Sequence, residues 1–132
     1  MQFISTKVHG VLDYVVGLLL IASPWIFNFN DGSAAQWVPI IIGAMVIVMS
    51  ILTNYELGLI RTLSMGTHLT MDVIAGIFLA ASPWLFGFAD QVYLPHLIFG
   101  LMSIFTGLTT DRQPRFEGAH RHETSQHMRH AR

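Results

Sequence analysis

Residues 5–31 read STKVHGVLDYVVGLLLIASPWIFNFND, and residues 64–90 read SMGTHLTMDVIAGIFLAASPWLFGFAD. Laid over each other they match His9 with His68, Asp13 with Asp72 and Gly17 with Gly76. The match continues through Ser23-Pro24-Trp25 with Ser82-Pro83-Trp84, then Phe27, Phe29 and Asp31 with Phe86, Phe88 and Asp90, all at an offset of 59 (68 − 9, 90 − 31). Chance does not hold so many identities in register, so the chain reads as two copies of one unit. After a three-residue contraction the match resumes, with Pro39 against Pro95 and Leu52-Thr53 against Leu108-Thr109. Repeat 1 spans about 5–56 and repeat 2 about 64–110.

Each unit holds two apolar runs. The four are Thr6–Phe27, Trp37–Thr53, Met65–Phe86 and Tyr93–Thr110. At ~1.5 Å rise per residue each approaches the ~30 Å hydrocarbon core of a bilayer, the second and fourth falling marginally short. Helices are required there, because lipid offers backbone polar groups no partner. Ser5 and Ser64 stand where a hydroxyl caps free amides, and Pro39 and Pro95 fall within a first turn, where a missing N–H costs little.

Composition agrees. The 132 residues are 52% hydrophobic and 11% charged, against roughly 25% charged in soluble domains. Between Val8 and Thr110 the formal charges are Asp13, Asp31, Glu56, Arg61, Asp72 and Asp90. A soluble bundle needs a polar outer face on every helix, and these runs are apolar all round. The expectation is an all-α bundle of four transmembrane helices over residues 1–110, formed of two tandem hairpins. Two spans per unit is an even number, so both copies enter the membrane in the same direction. They should be related by a pseudo-two-fold axis along the membrane normal, as parallel repeats are.

The lysine and arginines (Lys7, Arg61, Arg112, Arg115, Arg121, Arg129 and Arg132) all fall on the side of the chain ends and the central loop. The other loops carry only Asp31 and Asp90 as charges. By the positive-inside rule both termini are cytoplasmic and the chain is multi-pass in the cytoplasmic (inner) membrane. No small-x-small cleavage site follows the first run, which reads as a retained span. Trp25, Phe27, Phe29, Trp37, Trp84, Phe86, Phe88 and Tyr93 are expected to form an aromatic belt on the outer side. Residues 111–132 are polar, carry His120, His122, His127 and His130, and are expected to be a disordered cytoplasmic tail. Histidine-rich tracts can also bind metal.

The tripeptides Ser23-Pro24-Trp25 and Ser82-Pro83-Trp84, each following a matched His-x-x-x-Asp, resemble the SPW-repeat family of small bacterial and archaeal integral membrane proteins, in its two-repeat form. The resemblance covers about residues 5–110. It implies a membrane location and a repeated two-helix unit, and carries no biochemical activity with it.

Chemistry concentrates on one stripe. His9 and Asp13 are four apart and share a helix face, as do His68 and Asp72. An aspartate some ~7 Å inside a span is costly against lipid, so both should face the interior and be partnered. One reading is a polar clasp fixing helix pairing. Another is a site of two imidazoles and two carboxylates for a divalent metal, protons or a small polar solute. A third is a bis-histidine haem between His9 and His68. In the tripeptides, Pro24 and Pro83 should kink or end the helix, Ser23 and Ser82 satisfy freed carbonyls, and Trp25 and Trp84 anchor at the headgroups. The functional alternative for them is an outer aromatic cleft for a lipid or quinone. Gly100, Ser103 and Gly107, and Gly76 with Ala80, mark close helix contacts, with Gly43 and Ala44 a weaker pair. His96 is expected to be a solvated interfacial histidine.

No nucleophile arrangement, phosphate loop or dinucleotide fingerprint is present, and no basic face suggests nucleic acid. The leading expectation is a membrane protein without catalytic activity, a structural or partner-binding subunit with no required cofactor. The alternative is an oligomeric transport or channel-like component, and the third a haem- or quinone-binding redox subunit. Expected partners are the lipid bilayer, further copies of the chain or another membrane subunit.

Overall fold

In the computed structural model, which describes residues 2–114, four helices follow one another: α1 (Thr6–Ile26), α2 (Ala34–Leu52), α3 (Met65–Leu85) and α4 (Leu94–Thr109). The expectations for residues 115–132, including the tail histidines, lie outside the described residues. There is no strand among the described residues, only two isolated bridges. α1 packs along α2 and α3 along α4, and the hairpins meet through α2 against α3 and α1 against α4.

The caps fall where the hydroxyls stand. Ser5 accepts from the Val8 amide and Ser64 from the Thr67 amide, both at 3.2 Å. α2 begins three residues before the apolar run does, because Ser33 caps it by accepting from the Ala35 amide at 3.2 Å. Pro39 therefore sits in the second turn, not the first, and deprives the Ala35 carbonyl of its helical donor. Pro95 stays in the first turn of α4, where nothing is lost.

The end of each odd helix follows one scheme. Pro24 and Pro83 remove the amides that would have bonded the carbonyls of Leu20 and Leu79. The buried hydroxyls of Ser23 and Ser82 donate to those same carbonyls, each at 2.7 Å. A Schellman closure follows, with Phe29 N–H donating to Pro24 O and Phe88 N–H to Pro83 O, both at 2.8 Å. The left-handed residue that closure needs is Gly87 (φ 74°) in one copy and Asn28 (φ 58°) in the other.

The hairpins are tied at two close approaches. A Cβ at Gly43 would lie 2.6 Å from the Gly17 carbonyl oxygen, and one at Gly100 2.6 Å from that of Gly76. Gly43 is thus a full counterpart of Gly100 and not part of a weaker pair with Ala44. Their offset is 57 (100 − 43), the same that relates Thr53 to Thr110. Paired by these contacts, the positions stand two residues short of the 59-residue offset (59 − 57), whereas the proline match stands three short. The proline match misleads because Pro39 and Pro95 serve different turns.

Outward faces are apolar. Leu18, Ile41, Ile77 and Leu101 are all more than half exposed, an arrangement lipid permits and water penalises. α1, α2 and α3, with 21, 19 and 21 residues, are long and apolar enough to cross a bilayer. α4 is apolar but has 16 residues, about 24 Å of helix. Trp25, Phe27, Trp37, Trp84, Phe86 and Tyr93 are exposed as a belt requires. Phe29 and Phe88 are not, since the closures turn both inward, to 3% and 7% exposure. The α1–α2 and α3–α4 loops are joined by Gln91, whose amide donates to Asp31 at 2.6 Å. The Ser33 hydroxyl and this amide hold the Asp31 carboxyl down to about 2.

Candidate functional site

At the opposite end from the α1–α2 and α3–α4 loops, near the starts of α1 and α3, the two His/Asp pairs meet. His9 and His68 are fully buried, Asp72 is 1% exposed and Asp13 8%. The one-turn spacing within each helix brings His9 Nε2 to 3.1 Å from its own Asp13 and His68 Nε2 to 3.3 Å from Asp72. The shorter contacts run between hairpins, 2.8 Å from His9 Nε2 to Asp72 Oδ2 and 2.9 Å from His68 Nε2 to Asp13 Oδ2. The imidazole rings stand nearly perpendicular, at 80°, with centroids 5.6 Å apart.

The outer ring nitrogens have partners of their own. His9 Nδ1 lies 2.7 Å from Thr110 Oγ1, and His68 Nδ1 lies 2.6 Å from Thr53 Oγ1. These threonines end the even helices, so each histidine is held by the far end of the other hairpin. The backbone repeats the exchange, with parallel bridges Ile4–Thr110 and Thr53–Leu63. Asp13 also accepts from Ser50 at 3.0 Å. The Ser103 hydroxyl donates at 2.9 Å to the backbone carbonyl of Asp72. The Thr6 hydroxyl, 2.7 Å from both Glu56 carboxylate oxygens, ties the central loop to the start of α1.

Each threonine hydroxyl also reaches the carbonyl one turn back, Thr53 to Met49 and Thr110 to Thr106, both at 2.6 Å. A carbonyl only accepts, so the single hydroxyl proton is spent there. The threonine oxygen must then accept from the imidazole, and Nδ1 of both histidines carries a proton. This is the reverse of a nucleophile–base pair, in which the imidazole takes the hydroxyl proton.

A cavity of about 30 Å³ runs beside the centre, lined by Asp13 and Asp72 and otherwise mostly by apolar side chains such as Leu20, Val46 and Leu79. That is room on the order of one water. A haem does not fit. Its axial histidines face each other across a macrocycle, whereas both Nε2 atoms here converge on carboxylates.

His96 is not solvated. It is 1% exposed, stands between Phe29 and Phe88 with centroids at 5.1 and 4.9 Å, and reaches Ala35 O through Nε2 at 2.9 Å. That carbonyl is the one Pro39 left bare, so His96 serves Pro39 as Ser23 serves Pro24. Sequence reasoning missed Thr53, Thr110 and Ser50 as partners of the centre. A signal existed in the threonines at the ends of the even runs, but the repeat alignment paired Thr53 with Thr109.

Apolar helices around a buried two-histidine, two-aspartate centre define a small multi-pass membrane protein. The chain belongs to the SPW repeat domain family, whose pattern it matches over residues 7–110. Neither the curated proteins nor the solved structures contain a match to it.

Proposed function

We propose that the chain is a structural or partner-binding subunit of the cytoplasmic membrane without catalytic activity, in which the His/Asp centre clasps two hairpins into one unit. The observation that carries this is the exchange of partners. His9 bonds Asp72 and Thr110, while His68 meets Asp13 and Thr53. Buried polar groups whose shortest contacts run across an interface favour that interface, because separating the hairpins removes those partners. The same reciprocity supports a pseudo-two-fold relation between the hairpins, with its axis along the membrane normal. The threonine protons, already committed to carbonyls, support the non-enzymatic reading. A transport role would need several chains, since the interior cavity has space for about one water.

Native mass spectrometry in detergent is expected to return single chains, or single chains bound to a different subunit. A stable ring of this chain alone would replace the subunit reading with the transport one. For orientation, Lys7, Arg61 and Arg112 stand at the end that holds the centre. A reporter fused after Arg132 should read as cytoplasmic, and one inserted at the exposed Gly32 as external. Both on one side would end the four-span arrangement.

A further inference from the structure

We infer that the four side chains His9, Asp13, His68 and Asp72 form a binding site for one divalent transition-metal ion, with Zn²⁺ the best fit. The inference rests on the reading of these residues as a single centre and adds a ligand to it.

The first support is the direction of the protons. Thr53 and Thr110 fix a proton on Nδ1 of each histidine, because their own hydroxyl protons go to Met49 and Thr106. In a neutral imidazole the other nitrogen, Nε2, then carries a lone pair. Both Nε2 atoms lie 2.8–2.9 Å from a carboxylate of the other hairpin, which only accepts, so without a metal each Nε2 carries a second proton and two imidazoliums balance two aspartates. A dication can take the place of those two protons, held by the freed Nε2 lone pairs, and leaves the buried group equally neutral, as burial in a membrane interior demands. A histidine that ligates through one nitrogen and donates from the other is also the usual outer-sphere arrangement of a metal site. Ser50 gives Asp13 a similar outer partner.

The second support is an atom the protein leaves without a partner. His68 is completely buried, and its Nε2 lies within ion-pair distance of Asp13 Oδ2 (2.9 Å) and Asp72 Oδ2 (3.3 Å). It nevertheless makes no hydrogen bond to either. The nitrogen is close to both oxygens but aimed along neither. Asp72 Oδ1 is likewise buried and unpartnered.

The third support is size. One ligand atom from each of the four residues can be chosen so that all lie within 4.8 Å of one another. The nitrogen–oxygen separations are 2.8, 2.9, 3.1 and 3.3 Å. Four ligands at the bond lengths of zinc to nitrogen and oxygen stand about 3.3 Å apart at the edges of a tetrahedron. The four nitrogen–oxygen separations are at or just inside that edge length. Two nitrogens and few oxygens disfavour calcium and magnesium, and the absence of cysteine from the chain disfavours Cu(I).

The test uses the full chain with His120, His122, His127 and His130 changed to glutamine, so that the tail does not bind metal itself. After chelator treatment and dialysis against Zn²⁺, one zinc per folded chain should remain by elemental analysis. Co²⁺ should give the intense visible bands of a four-coordinate ion. Asp13→Asn and Asp72→Asn should each weaken zinc binding at least tenfold. Thr110→Val, which touches no metal but orients His9, should weaken it about 10–100-fold. A folded chain that takes up no zinc overturns the inference and leaves the clasp intact. Zinc held equally well by both asparagine variants overturns it too. Should those variants fail to fold, the cobalt spectrum of the parent chain decides, and six-coordinate pale bands count against the site.

Discussion

Asp72→Ala should destabilise the folded chain by about 3–5 kcal/mol, measured in detergent with chelator present so that no metal contributes. Asp72 is 1% exposed and its Oδ2 lies 2.8 Å from His9 and 3.3 Å from His68. Removing one member of a buried charged group costs that much because the others are left uncompensated. The same reasoning makes the loss non-additive. His9→Ala alone should cost a comparable amount, but the double variant should cost less than the sum by about 0.5–3 kcal/mol. Additive losses would mean that the two residues do not work as a pair across the hairpins. That result would remove the basis of the clasp.

Gly100→Ala should cost about 1–3 kcal/mol, and Gly100→Val more, by wedging α3 from α4. A Cβ there would stand 2.5 Å from the Ala80 backbone nitrogen and 2.6 Å from the Gly76 carbonyl oxygen. Neither is a flexible side-chain end, so only a shift of a whole helix relieves the clash. Because Asp72 sits on the same α3, the wedge should also disturb the centre at the helix starts. Gly66 is the control. It lies in the first turn of α3 with nothing within 4 Å of a Cβ, and Gly66→Ala should be neutral or slightly stabilising. Thermal denaturation of the three variants side by side separates close packing from simple loss of glycine. Equal effects at Gly66 and Gly100 would contradict the observed approach.

Residues whose surroundings were legible in advance share one property: their partners are near in sequence. Ser5 and Ser64 cap helices that begin at the next residue, and Ser23 answers a proline one position away. His96 was misjudged because its partner, the Ala35 carbonyl, lies 61 residues off and became a free acceptor only through Pro39. Phe29 and Phe88 were misjudged for a related reason. An aromatic residue just past a helix looks interfacial until the closure turns it inward, and the φ of Asn28 and Gly87 decides that.

The sequence by itself determined the four helices, their apolar outer faces and the placing of His9, Asp13, His68 and Asp72 on matched helix stripes. These follow from local rules of hydropathy, helical period and capping, with the repeat supplying the same message twice. Only the tertiary structure decided that the stripes converge, that each histidine takes the other hairpin's aspartate, and that Thr53 and Thr110 hold the outer nitrogens. Helical period says which residues share a face but not which faces meet. That choice is made by close approach at Gly17–Gly43 and Gly76–Gly100, and by the requirement that a buried polar atom find its partner wherever in the chain it lies.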